Sequence, residues 1–146
     1  MPLASKRLAH TTPLVTMLAI VSMLHANAAC AESKPIDEAA VLKTIDSAVA
    51  EQRVFATCFA LEPVAKKIVD DMWVKMVKDA REVLASRKPS VKLIAQFEYK
   101  TQSKLVDERM PLKDAIVFCE KNAEIQKKFY TFGYLDLPTE LSALLY

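Results

Sequence analysis

Glycine and histidine are almost missing from this chain, and each scarcity closes off a class of chemistry. Of 146 residues one is glycine, Gly133, and two are histidine, His10 and His25. A single glycine cannot build a phosphate-cradling loop, a dinucleotide fingerprint or a nucleophile elbow. Both histidines fall within residues 1–31, which read as an export signal, so the processed chain has none. Without imidazole there is no Ser-His-Asp triad, no Cys-His pair and no histidine-ligated zinc. Cys-x-x-Cys spacing is absent as well, which excludes thioredoxin-type redox chemistry and haem attachment through Cys-x-x-Cys-His. No cofactor and no metal are expected.

What is present begins with that export signal. Lys6 and Arg7 form its basic start, Pro13 to Leu24 its apolar run, and Ala26, Ala28, Ala29 and Ala31 its small-residue end. The run is too short to span a bilayer comfortably, and no second apolar span follows, so no transmembrane segment is expected. Ala26-Asn27-Ala28 and Ala29-Cys30-Ala31 both fit a cleavage site. Ala28-Ala29-Cys30 also resembles the end of a lipobox, which would lipidate Cys30. Asn27 stands where that motif wants an apolar residue, so a lipid anchor is the less favoured outcome. The expected product is residues 32–146, one domain, periplasmic or secreted. Lys6 and Arg7 are the only bases in residues 1–31 and no acid lies there, so 18 of the 20 bases remain against 18 acids. A neutral chain has no long-range field to recruit nucleic acid or an anionic membrane.

Pro35, Pro63, Pro89, Pro111 and Pro138 divide the domain at the starts of apolar-periodic stretches, where a helix tolerates proline. The first stretch puts Val41/Leu42, Ile45, Ala48/Val49, Phe55 and Phe59 on one stripe. The second does so with Ala65, Ile68/Val69, Met72, Met76, Ala80 and Val83. Its other face carries Lys66–Asp70, Lys67–Asp71, Lys75–Asp79 and Lys78–Glu82 at ion-pairing spacing. The fourth offers Leu112, Ala115/Ile116, Cys119, Ala123 and Phe129, and the tail Leu137, Leu141 and Leu144/Leu145. The third is ambiguous, because residues 91–100 alternate like a strand while Val91, Ile94, Glu98, Thr101 and Leu105 trace a helical face. An all-α bundle of four to five helices is favoured. The alternative is α+β, with a two-stranded ribbon from 91–100 and 129–135, which the shortage of glycine for hairpin turns disfavours.

Cys58 and Cys119 each lie on an apolar stripe, and in an oxidising compartment two such cysteines most simply join. Closing that long a loop contributes roughly 4 kcal/mol on the chain-entropy estimate. Adjacent acids at Asp70-Asp71 and Asp107-Glu108 are the remaining material for hydrolysis. Neighbours on a helix point about a hundred degrees apart, so neither pair is a dyad by itself.

Two surfaces stand out as candidates for a partner or ligand. Lys88, Lys92 and Lys100 interleave with Phe97 and Tyr99 as a basic, aromatic patch. Met72, Trp73 and Met76 offer an adaptable apolar groove. In size, export and a disulfide tying distant helices, the layout is similar to that of several small helical periplasmic proteins, including the amidase immunity proteins of bacterial antagonism systems. The likeness is one of layout and rests on no motif. It implies a non-enzymatic binding protein, an inhibitor or immunity-type factor acting on one exported or periplasmic protein. A carrier or holdase for an apolar ligand or unfolded chains is the alternative, and a carboxylate-only hydrolase the third.

Overall fold

Proline and its capping neighbours set where the helices begin. The computed structural model describes residues 35–107 and 109–146. The export signal, its cleavage points, His10, His25 and the lipidation of Cys30 lie outside the described residues, as does Glu108. Helix α1 spans Glu38–Cys58, α2 Pro63–Ala85, α3 Val91–Thr101, α4 Leu112–Lys121, α5 Ala123–Tyr130 and α6 Leu137–Leu145. Pro63 is the first residue of α2 and Pro138 the second of α6, where the missing N–H has no helical partner to lose. Asp37 caps α1 by accepting the Ala40 N–H at 3.0 Å, and Ser90 caps α3 by accepting that of Leu93 at 3.0 Å.

The small helical bundle expected from the sequence is therefore what forms, and no strand occurs among the described residues. Residues 91–100 are helical, but their buried stripe is Leu93, Phe97 and Thr101, while Val91 and Tyr99 face outward. The Trp73 indole N–H donates to the Thr101 carbonyl at 3.3 Å, tying the end of α3 to the middle of α2. The fourth apolar stretch is two helices rather than one. Asn122 breaks it by turning its side-chain N–H onto the Phe118 carbonyl at 2.8 Å, the local competition with backbone bonding that asparagine is prone to.

One core joins Val41, Ile45 and Ala48 of α1 with Trp73, Met76, Ala80 and Leu84 of α2, Leu93 and Phe97 of α3, and Leu137, Leu141 and Leu145 of α6. A second gathers Phe55, Phe59 and Val69 beneath Ile125 and Phe129 of α5. The Phe59 and Phe129 rings lie 4.8 Å apart, and Tyr130 meets Phe59 edge-on at 5.6 Å. Helix α1 is the shared wall, since every other helix packs on it. Full burial of a Leu, Ile or Phe contributes about 1.5–3 kcal/mol, so these two clusters dominate stability.

Two polar side chains of α1 enter this interior with their bonding satisfied. Gln52 donates to the Val69 carbonyl of α2 at 3.2 Å. Glu51, only 8% exposed, accepts the Lys128 ammonium at 2.6 Å and the Leu135 backbone N–H at 2.6 Å. That one carboxylate fixes α5 and the α5–α6 connection to α1.

Candidate functional site

The two surfaces singled out in the sequence take different places in the fold. Trp73 and Met76 are core residues, each 7% exposed, and Met72 packs half-buried between the two clusters. The space they share with Phe55 and Tyr134 amounts to about 10 Å³, room for a single water and not for a ligand. The expected Met-Trp groove is thus filled by its own neighbours, because Trp73 continues the buried spacing of Val69, Met76 and Ala80. Phe97 is fully buried and cannot belong to a surface patch, since its register on α3 matches Leu93 and Thr101. Lys88, Lys92 and Tyr99 do point outward. Lys100 is paired with Asp46 of α1 at 2.5 Å.

The acids also separate. Asp70 and Asp71 are held by Lys66 and Lys67 on the exposed face of α2. Asp107 accepts the Arg109 backbone N–H at 3.0 Å. Among the described residues no three His, Cys, Asp or Glu side chains gather as a metal site.

What the fold does bring together lies around Cys58 and Cys119, whose sulfurs are bonded at 2.03 Å. Both cysteines are half-buried. They join the last residue of α1 to the last turn of α4, and that helix is unusual. An amphipathic helix ordinarily turns its apolar stripe to the core. Helix α4 has no fully buried residue, and only Ala115, Phe118 and Cys119 are half-buried. Its stripe of Leu112, Ala115, Ile116 and Cys119, continued by Ala123, instead walls a cleft of about 570 Å³. Ala60 and Leu61 face it from the α1–α2 connection, and Val106 and Met110 from the segment before α4. Leu112 is 59% exposed, Ile116 51% and Leu61 80%. Apolar side chains are thus left in water on both sides of a concave surface.

A second cleft, of about 560 Å³, adjoins the first and shares Thr57, Val106, Asp107 and Met110 with it. Among the described residues its charged side chains are Arg53, Lys104, Asp107 and Arg109, so it is polar where the first is apolar. The apolar cleft carries Asp107, shared with its neighbour, and Glu120 in the last turn of α4. No imidazole or cysteine thiol lies on either cleft, since Cys58 and Cys119 are oxidised. The arrangement can desolvate an apolar surface and orient a charged one.

Sequence reasoning placed the α4 stripe correctly and assigned it to the core. The signal that it stays uncovered was its length, since ten residues carrying Lys113, Asp114, Glu120 and Lys121 leave little area for a core. Glu51 and Gln52 were missed as interior residues, although each sits three or four positions from Ala48 and Phe55 and so falls on their stripe. No helix among the described residues is long and apolar enough to cross a membrane. The chain matches no protein-family model, no curated protein and no solved structure with which it was compared.

Proposed function

We propose that this protein is an exported binding factor that occludes one partner protein, acting as an inhibitor or immunity-type factor through the face of α4. The observation that carries the reading is an apolar helical stripe that lines an open cleft with Leu112 and Ile116 more than half exposed. Such a stripe costs solubility unless something covers it. The disulfide supports the exported setting, because cysteine pairs persist in oxidising compartments.

A photo-crosslinking residue at Ile116, with the exposed Ala95 of α3 as control, tests the proposal in the protein's own exported fraction. One stoichiometric adduct from position 116 and none from position 95 is the expected result. A ladder of unrelated adducts from both positions would refute a specific partner. The cleft volume is also within the range of small-ligand sites, about 300–1,000 Å³, which favours a carrier as the second reading. An apolar molecule co-purifying in native mass spectrometry, with no protein adduct, would decide for it.

A further inference from the structure

Helix α4 is edged by charge in a pattern that is its own complement. Leu112, Ile116 and Cys119, continued by Ala123, follow the alternating four-and-three spacing of a coiled-coil seam. Lys113 and Glu120 stand seven residues apart, so one flank of that seam carries both, with a drift of only about 20°. Both side chains are exposed, and no ion pair among the described residues engages either. Asp114 and Lys121 lie on the opposite side of the helix, away from the seam.

Ile116 sits at the midpoint between Lys113 and Glu120. Turned end for end about a two-fold axis at Ile116, a second α4 sets its Glu120 beside Lys113 and its Lys113 beside Glu120. The two Ile116 side chains then meet at the axis, with a Leu112 one turn out on either side. A parallel pairing puts like residues at one height and forms neither bridge. A ten-residue helix is about 15 Å long and about 10–12 Å across, too large for a cleft of about 570 Å³. The second α4 therefore lies over the mouth and sends Leu112 and Ile116 inside. Acids and bases balance beyond residue 31, so two copies meet without net repulsion.

We infer that, when no partner holds this face, its occupant is a second copy of the chain, in a symmetric dimer joined by antiparallel α4 helices and paired Lys113–Glu120 bridges. This goes beyond the partner reading above. Self-association keeps the apolar stripe out of water, and a partner must displace the second copy to bind. A contact built on one short helix is at the small end of specific interfaces, so a dissociation constant of about 10–100 μM is expected.

Sedimentation equilibrium of the purified, disulfide-bonded protein from about 2 to 500 μM reads the dimer directly. Lys113→Glu or Glu120→Lys alone sets like charges together at both ends, and each should weaken the dimer about tenfold. Lys113→Glu with Glu120→Lys in one chain rebuilds both bridges in reverse and should restore it. An equimolar mixture of the two single variants should associate as well, since each supplies the charge the other lacks. These differences should shrink as salt rises from about 0.05 to 0.5 M. Ile116→Asp should abolish the dimer. All three positions are exposed, and an unchanged urea midpoint at about 1 μM, below the dimer range, shows that the fold is intact.

A chain that stays monomeric throughout, or a dimer that survives Ile116→Asp, overturns the inference. So does a dimer that both single exchanges weaken and the double exchange does not regain. The crosslink at Ile116 reads the parent proposal separately. An adduct at twice the chain's mass is the second copy, and an adduct at any other mass is a different protein. A foreign adduct from a chain that stays monomeric leaves the binding factor standing and removes only the dimer.

Discussion

Removing the Cys58–Cys119 bond by the double exchange Cys58→Ser, Cys119→Ser should have two effects that can be measured apart. The bond closes a sequence separation of 61 residues. On the chain-entropy relation, that loop restricts the unfolded chain by about 14 cal/mol/K, or about 4 kcal/mol at room temperature. Stabilities of single domains run to about 5–15 kcal/mol, so the variant stays folded with a reduced margin. With a urea m-value of about 1.5 kcal/mol/M, the midpoint should fall by about 2.5–3 M. The second effect is local. Helix α4 has no buried side chain to hold it, and at ten residues it is too short to remain helical once detached. Amide hydrogen exchange should therefore accelerate strongly from Ile116 to Lys121. The amides of α2 around Met76 and Ala80, bounded by the main core, should follow only the drop in global stability. A midpoint shifted by less than about 0.5 M would refute the loop argument. Equal protection of α4 and α2 in the variant would refute the claim that the disulfide is what holds α4 down.

Other perturbations separate further parts of the account. Glu51→Ala strips a buried acceptor from the Lys128 ammonium and the Leu135 N–H, and should cost about 2–3 kcal/mol in urea unfolding. Phe132 ends α5 in a left-handed conformation, φ 53°, while the Gly133 N–H bonds the Lys128 carbonyl at 2.9 Å, the closing pattern in which glycine is usual. Its ring is 82% exposed, so Phe132→Gly should stabilise by about 0.5–1 kcal/mol, and a loss of stability would mean the ring packs on something. The Lys67 and Lys75 ammonium groups are held above their ordinary value of 10.5, first by the hydrogen bonds they donate to Asp71 and Asp79 and then by the charges of those carboxylates. A raised folded value means that this small support is complete at neutral pH and fades only as pH climbs through the alkaline range. Between about pH 6 and 9 the exchanges Asp71→Asn and Asp79→Asn should leave the shape of the stability–pH curve unchanged.

Much of the bundle was legible because it rests on spacing. The prolines announced where helices start, and the α6 stripe of Leu137, Leu141 and Leu145 is buried as read. On α2 the spacing was right and the rotation slightly off. Ile68 and Met72 were placed on the stripe, but Ile68 is 52% exposed and Trp73 and Leu84 are buried in the main core. A period of 3.6 residues cannot choose between adjacent apolar positions. Only the helices packed on α2 decide, and here they are chiefly α6 and α1, with α3 tied in through Trp73. The candidate site was harder to read. Its cysteine pair was foreseen, yet the break at Asn122 that ends α4 was not. No pattern within α4 itself says which apolar face is left over.

That α4 has no fully buried residue also bears on how this surface can change. Core exchanges commonly cost about 2–5 kcal/mol, a large share of what a small domain has, and this restrains every residue of α1 that shares its wall with five helices. Exchanges at Leu112, Lys113, Ile116, Val117 and Glu120 disturb no packed neighbour, so their effect on stability should lie within about 0.5 kcal/mol. The core of α1 is therefore constrained by the fold, while the α4 wall of the cleft is open to retuning one residue at a time. On the proposed binding role, a face built this way could follow a changing partner, or take a new one, while the bundle behind it stays the same.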